Sequence, residues 1–246
     1  DRAAHAGTLD PKVTGCLPTL LGDATRAVPA LQTAGKEYIA ALELHGAVPA
    51  DFADILAEFE GEIYQKPPRK SAVARRLRTR EIYSLDVLDR TDRRTLLRID
   101  CESGTYVRKL CHDLGLALGT GAHMGALRRS AAGPFDDTSL VTLHDLVDAL
   151  AEYRERGDEG PIREVVSPAE RALADLPRVT VARSAAREIA EGAPVYAPGV
   201  IDAPDVERDR LVACYTPDGA AVCLGRLVGD PDAESGTVVD LERVLV

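Results

Sequence analysis

The chain has 246 residues, of which 45% are hydrophobic, so it can bury the core of one large domain and one small domain. Its apolar runs fall well short of the ~18 residues of a membrane span, and the sequence predicts no membrane partner. The formal net charge of −10, taken alone, argues against nucleic acid as a ligand.

Two features of the charge weaken that exclusion. Only five of the thirty basic residues are lysines and there is no tryptophan, a composition typical of proteins adapted to high salt. Residues 66–80, KPPRKSAVARRLRTR, hold seven basic groups and no acidic one. Such a run is either a solvated helix face or a contact for phosphate groups, and in so acidic a chain we favour the phosphate contact.

The chain also lacks the signatures of metal and cofactor sites. Its five cysteines are an odd number and form no C-x-x-C pair, which argues against a zinc ribbon or a disulfide framework and predicts a cytoplasmic protein. The segment GTGAHMG lacks the residues of a phosphate-binding loop and the spacing of a dinucleotide fingerprint. We therefore expect no metal and no cofactor.

The first half of the chain mixes strands and helices. Alternating apolar residues predict a strand over 36–46, and an i, i+3, i+4, i+7 pattern predicts a helix over 51–61 that ends at Gly61. Residues 95–107 are typical of a strand and a turn. A helix should follow, with an apolar face made of Val107, Leu110, Cys111 and Leu114.

A further helix is predicted from Thr142, its N-cap, to Gly157. Its expected apolar face is Leu143, Leu146, Val147 and Leu150. The segment 157–177 is polar and rich in proline, and it predicts a boundary between domains. Short strands broken by glycine and proline follow, with one helix at 184–192, and they predict a small β-barrel. Without regular βαβ alternation, the fold class is α+β.

Three local settings hold side chains that could do chemistry: HAGTLDPKVTG around Asp10, GKEYIAAL around Lys36 and Tyr38, and ESGTYVRKL around Tyr106 and Arg108. Each has an ordinary structural interpretation. An aspartate before proline is commonly a turn residue that bonds its own backbone, and a strand tyrosine is commonly core. Arg108 near a helix start is unfavourable for the helix dipole, so it answers either a specific negative charge or a structural salt bridge.

Taken together and in order, five motifs resemble the TruB family of pseudouridine synthases. They are HAGTLDPKVTGCLP, KEYIAAL, GEIYQKPPRKSAVARRLRTREIY, ESGTYVRKLCHDLG and GAHMGALRRSAAGPF. The branch they resemble is that of the archaeal relatives of dyskerin, the catalytic subunit of box H/ACA ribonucleoproteins. Residues 173–246 resemble a PUA domain, a small RNA-binding barrel. The resemblance implies a mixed-sheet catalytic domain over 1–172, followed by that barrel.

The resemblance also implies roles for single residues. Asp10 attacks a target uridine that has been flipped out of the RNA, either at a sugar carbon or by removing a sugar proton first. Tyr38 stacks on the base and assists removal of the C5 proton, while Arg108 pairs with a buried Asp10 and keeps it ionised. The implied substrate-binding residues are His5, Lys36, Tyr106 and Leu127. The implied contacts to the RNA backbone are Lys66, Arg69, Lys70, Arg75, Arg76, Arg78, Arg80, Arg128 and Arg129.

The implied partners are RNA and small proteins. The RNA is tRNA, modified at position 55, or rRNA selected by a box H/ACA guide RNA. The proteins are a Nop-type and a Gar-type protein and a ribosomal-L7-like kink-turn protein. Family members carry a segment upstream of HAGTLDP that supports the pocket and braces the PUA domain, and it precedes the first residue here. An RNA-binding scaffold without turnover is the alternative, but the joint presence of Asp10, Tyr38 and Arg108 favours the enzyme.

Overall fold

The computed structural model describes residues 2–67, 74 and 76–246. The strands of these residues, β1 to β15 in chain order, are Ala3–His5, Val13–Gly15, Thr19–Leu21, Lys36–Leu44, Gly61–Gln65, Arg78–Arg90, Arg94–Cys101, Ala122–Ala132, Phe135–Asp136, Arg178–Val181, Val195–Tyr196, Val200–Asp202, Leu211–Tyr215, Ala221–Leu227 and Thr237–Val244. The helices, α1 to α6, are Val28–Thr33, Phe52–Ala57, Val107–Ala117, Leu143–Arg156, Gly160–Val165 and Arg183–Ala190. Short 3-10 turns span Gly22–Ala27, Asp137–Ser139, Ala169–Leu173 and Ala197–Gly199.

The chain divides into two compact units. The sheet unit comprises Gly7–Leu17 and Thr33–Leu140, and the barrel unit comprises Asp1–Ala6, Pro18–Gln32 and Val141–Val246. Strands and helices alternate irregularly in both, which confirms the predicted α+β class.

The sheet unit is built on one mixed sheet with the strand order β2-β8-β4-β7-β6-β5, and β9 pairs with β8. The pairing of β2 with β8 is parallel, and the others in this order are antiparallel. Helix α3 packs on β8 and β4. Its predicted apolar face is confirmed, because the following residues are at most 4% exposed: Val107, Leu110, Cys111 and Leu114.

Two predicted elements of the sheet unit differ in length from the structure. The strand predicted over 36–46 is confirmed as β4, which ends at Leu44. The helix predicted over 51–61 is wrong in its second half, because α2 ends at Ala57. Gly61, with φ +92°, begins β5 instead of capping a helix. Turn bonds from Phe59 to Leu56 and from Glu60 to Ala57 connect the two elements.

The barrel unit contains a six-stranded sheet with the order β11-β15-β14-β13-β10-β12. The two strands at the ends of this order, β11 and β12, are consecutive in the chain and are joined by the 3-10 turn Ala197–Gly199. The sheet therefore nearly closes on itself, which confirms the predicted small barrel. Its core consists of fully buried aliphatic side chains, among them Val179, Val181, Ile189, Val212 and Val222.

Helix α4 confirms the predicted ends but not the predicted buried face. The Thr142 and Asp145 side chains form a capping box, and Gly157 ends the helix with φ +69°. Leu143 and Val147 are exposed, at 80% and 61%, while the buried residue is Ala149. The prediction of the apolar face was wrong because periodicity identifies an amphipathic helix without showing which surface covers it. In the described part of the chain, no helix is long and apolar enough to cross a membrane.

Candidate active site

Asp10 lies in a tight turn just before β2. The backbone N–H of Val13 donates to the Asp10 carbonyl at 3.0 Å, Pro11 occupies the second turn position, and Lys12 has φ +74°. These are the features of a type II turn, which favours proline at the second position and a positive φ at the third. The Asp10 carboxylate is 57% exposed and accepts a hydrogen bond from the Arg108 guanidinium. Its observed partner is therefore a distant arginine.

A buried arginine holds this turn on the sheet. Arg129 of β8 is 2% exposed, and its Nε donates to the Cys16 carbonyl at 2.7 Å. Its Nη2 donates to the Gly7 carbonyl at 3.0 Å. The two bonds tie both ends of the segment that carries Asp10 to one side chain. Arg129 was predicted as an RNA contact; this is corrected, because a guanidinium so enclosed offers no surface to a phosphate group.

Gly15 allows the close approach that these bonds require. It pairs with Arg129 in the parallel β2–β8 register and has φ +104°. A Cβ at this position would lie 2.1 Å from the Arg129 carbonyl oxygen. Only glycine fits here, because both the backbone conformation and the distance to β8 exclude a side chain.

Arg108 is the second residue of α3, as the sequence predicted. The buried Gln65 at the end of β5 fixes the start of this helix, because its Oε1 accepts from the Tyr106 N–H at 2.9 Å and its Nε2 donates to the Tyr106 carbonyl at 3.3 Å. Sequence analysis missed Gln65. The signal was present, since Gln65 continues the alternating inward positions of β5.

The Asp10–Arg108 ion pair corrects one expectation. The carboxylate was predicted to be buried, but Asp10 and Arg108 are 57% and 49% exposed. The pairing itself agrees with the expectation. It joins residues 98 positions apart and brings the Asp10 turn against the first turn of α3.

Tyr38 and Leu127 lie on the sheet beneath these groups. Tyr38 pairs with Arg129 and Ala40 pairs with Leu127 across β4 and β8, and both Tyr38 and Leu127 pack partly buried against the core. Burial raises the pKa of the Tyr38 phenol above its ordinary value; the nearby Cys101 and Asp10 raise this pKa further and Arg129 lowers it. Tyr38 therefore keeps its proton at neutral pH and belongs to the same charge cluster as Asp10.

Lys36 lies behind the site instead of facing a substrate. It is 4% exposed, and its Nζ donates to the Ala34 carbonyl and, at 3.3 Å, to the Ser103 hydroxyl. Burial, with a contribution from Arg129, lowers the pKa of Lys36 to about 8. The prediction of direct substrate contact is corrected, because the ammonium is enclosed and anchors the start of β4.

The two other predicted substrate contacts have different settings. Tyr106 is half-buried and precedes the first residue of α3 in the sheet unit. His5 is exposed at the end of β1 and belongs to the barrel unit.

The predicted RNA-backbone residues do not all face solvent. Lys66 and Arg76 are exposed, and Arg78 is half-buried. Arg80 is also half-buried and pairs with Glu102 at 3.4 Å. Arg128 is 44% exposed and pairs with Asp137 at 2.6 Å. Arg69, Lys70 and Arg75 lie outside the described residues.

Among the residues that the structure describes, no group of three His, Cys, Asp or Glu side chains could hold a metal ion. The arrangement on the sheet is an exposed carboxylate oriented by a guanidinium, above a protonated phenol and an aliphatic side chain. A carboxylate held in this way can act as a nucleophile or a base toward a flat, uncharged ring that packs on Tyr38 and Leu127. Fold and site together define an enzyme with a mixed-sheet catalytic unit and a small barrel.

Comparison with known proteins identifies that enzyme's family. Residues 1–51 match the model of the TruB family pseudouridylate synthase N-terminal domain. Residues 108–174 match the tRNA pseudouridylate synthase B C-terminal domain, and residues 177–245 match the PUA domain. A probable tRNA pseudouridine synthase B of Haloarcula marismortui is 66% identical over 100% of this chain and 80% of its own length.

Solved structures agree with the family models. The chain superimposes with a TM-score of 0.95 and 45% identity on the crystal structure of a Cbf5-Nop10-Gar1 complex, covering 100% of this chain and 77% of that one. A structure of an H/ACA RNP bound to a substrate RNA containing 2'-deoxyuridine matches with a TM-score of 0.90 and 43% identity, over 100% and 77% of the two chains.

The chain belongs to the TruB family of pseudouridine synthases and carries a PUA domain. It is an RNA isomerase, as its motifs predicted. The high-salt composition is confirmed as well, because close relatives come from Haloarcula marismortui and Halobacterium salinarum.

Proposed function

We propose that Asp10 is the nucleophile that converts a uridine of an RNA chain to pseudouridine. The observation that carries this proposal is the exposed Asp10 carboxylate held by Arg108 directly above Tyr38 and Leu127. In the reaction the bond between C1′ and N1 breaks, the uracil turns within the pocket, and C5 bonds C1′. C5 loses its proton and N1 gains one, so the product is an isomer and no co-reactant is consumed.

Each neighbouring side chain has a role that its position supports. Arg108 keeps the carboxylate ionised and aimed at the sugar. Tyr38 stacks on the flipped base, an interaction worth about 1–3 kcal/mol, and its neutral hydroxyl relays the proton that leaves C5. Leu127 and Tyr106 pack against the base, and His5 contacts the RNA beside it. Arg129 and Gln65 position the Asp10 turn and the start of α3.

For the substrate we propose rRNA selected by a box H/ACA guide RNA, with Nop-type, Gar-type and ribosomal-L7-like kink-turn proteins as partners. Support comes from the match of the whole chain to Cbf5 in complex with Nop10 and Gar1. Stand-alone modification of tRNA at position 55 is the second candidate, favoured by the tRNA named in the curated relatives. The enzyme is proposed to act in the cytoplasm, where its five buried thiols stay reduced.

For the domain organisation we propose a catalytic domain over 1–172 and a PUA domain over 173–246. The ends of the matching family models, at residue 174 for the catalytic part and residue 177 for the PUA part, support a boundary in this region.

The test is release of tritium from RNA that carries uridine tritiated at C5, in high salt. Asp10→Asn should lose product formation by on the order of 10³-fold or more, while its RNA affinity stays within about 3-fold. Asp86→Asn is the matched control, because it removes a carboxylate from another arginine ion pair of the same sheet. Product formation by Asp10→Asn would refute the assignment. Activity that depends on guide RNA and partner proteins supports the first substrate, and activity on tRNA alone supports the second.

A further inference from the structure

An open cleft of about 610 Å³ lies beside the catalytic ion pair in the sheet unit. Its volume falls within the range of roughly 300–1,000 Å³ of ligand sites. The polar side chains that line it are Lys66, Arg108, Lys109, His112 and His123, and Met124 lies among them. We call this the basic cleft. No residue described as lining it carries a carboxylate, although the chain has 40 acidic residues against 30 basic ones.

The basic cleft offers the chemistry of an anion site. Arg108 and Lys109 lie in the first turn of α3, an eleven-residue helix whose N-terminal dipole adds to their positive potential. Lys66 faces them from the end of β5, and His112 follows one turn further along α3. An ammonium and an imidazole can each donate to phosphate oxygens.

Acidic partners orient two of these cations from outside the cleft lining. Asp10 holds Arg108, and Asp113, one helical turn beyond Lys109, holds the Lys109 ammonium. An ammonium has three N–H donors, so Lys109 keeps donors for a second acceptor. His123 is held by His45 at 3.0 Å and lies 4.0 Å from Glu43, and it forms the wall instead of a donor in this arrangement.

Arg108 borders both the basic cleft and Asp10, which determines what the cleft can hold. The ribose attacked by Asp10 carries a phosphodiester group on each side. A chain seated at Asp10 therefore has to pass one of these groups along Arg108 into the cleft. The apolar surface of Met124 suits the adjoining ribose, since sugar carbons pack against thioether and methylene groups.

We propose that the basic cleft binds one phosphodiester group of the RNA strand next to the target uridine, through Lys66, Lys109 and His112. This inference rests on the proposed attack by Asp10. It assigns to Lys109 and His112 a substrate contact that the RNA-binding motifs of the sequence did not include. It also fixes the direction in which the flanking strand leaves the site.

The test replaces single phosphates on either side of the target uridine by uncharged methylphosphonates. The protein variants are Lys109→Gln with Asp113→Asn, which keeps the net charge, and Lys66→Gln, which changes an exposed side chain. The matched control is Arg98→Gln with Asp86→Asn, which removes another ion pair of the same sheet without changing the net charge. Affinities are measured at the lowest salt at which circular dichroism shows folded protein, because salt screens phosphate contacts.

For the wild type we expect one methylphosphonate position to weaken binding by about 5- to 20-fold. The Lys109/Asp113 double variant should bind unmodified RNA about 10-fold more weakly and lose its sensitivity to that position. Lys66→Gln should lose part of the same sensitivity, and the Arg98/Asp86 control should behave as the wild type.

The proposal is overturned if the wild type tolerates every neutral linkage near the target, or if both cleft variants keep wild-type sensitivity. Tritium release on the same RNAs separates the two proposals. Normal product formation with insensitive binding refutes only the basic cleft, whereas product formation by Asp10→Asn refutes the proposed attack itself.

Discussion

Arg129 should control the rate of the reaction without contacting RNA. Its two bonds, to the carbonyls of Cys16 and Gly7, tie down the segment that carries Asp10. Two replacements separate charge from geometry. Arg129→Met removes both bonds, while Arg129→Lys keeps the charge but lacks the planar fork that reaches two carbonyls.

The expected magnitudes follow from these contacts. Each charge-assisted bond contributes about 1.5–3 kcal/mol, and losing both leaves two backbone carbonyls unsatisfied. Removing a buried cation relieves several kcal/mol of desolvation cost. The net loss for Arg129→Met is about 2–4 kcal/mol of unfolding free energy. A displacement of the Asp10 turn by about 1 Å should slow the chemical step about 100-fold.

The assay measures single-turnover rate and RNA affinity separately, at a temperature where each variant is folded. Arg129→Met should slow the rate about 100-fold with affinity within about 3-fold, and Arg129→Lys should lie between it and the wild type. Arg128→Met supplies the contrast. Its neighbouring side chain is exposed, so it should lower affinity and leave the rate at saturating RNA near that of the wild type.

Two results would refute this reasoning. A rate within about 3-fold of the wild type in folded Arg129→Met would show that the bonds to Gly7 and Cys16 do not position Asp10. An equal loss of affinity and rate would restore Arg129 as an RNA contact.

Two further predictions concern the anchors of the sheet unit. The pKa of Lys36 is about 8 in the folded chain against 10.5 for an ordinary lysine, so between these pH values the unfolded chain holds the extra proton and stability rises with pH. In urea titrations from pH 8 to 10, the unfolding free energy of the wild type should therefore rise relative to Lys36→Met, and parallel curves would contradict this. Gln65→Leu removes both bonds to the Tyr106 backbone, so it should lower stability by about 1–3 kcal/mol and slow the single-turnover rate through Arg108. An unchanged rate at full folding would show that the start of α3 holds without it.

Local patterns predicted the elements whose signals are contained in a few neighbouring residues. The face of α3 follows from a 3.6-residue period, and the ends of α4 follow from Thr142, Asp145 and Gly157. The short strands of the barrel follow from alternation and from glycine and proline turns. The Asp10–Arg108 pair, in contrast, was accessible only through the family resemblance, because 98 residues separate its members.

Burial against distant elements was the part that the sequence did not show. Arg128 and Arg129 look equivalent in the motif ALRR, yet neighbours in a strand point to opposite faces. One is exposed, and the other lies under the Asp10 turn. The exposed Leu143 and Val147 of α4 give the same lesson in reverse, since an apolar period does not name its partner.

The buried cysteines make the chain its own reporter of unfolding. Cys16, Cys101 and Cys111 belong to the sheet unit, and Cys214 and Cys223 belong to the barrel unit. Each is at most 2% exposed, and burial raises the pKa values of Cys101 and Cys111 to about 12. An alkylating reagent therefore reaches each thiol only when its surroundings open. The order in which the five peptides gain mass gives the opening free energies of the two units in one unlabelled sample.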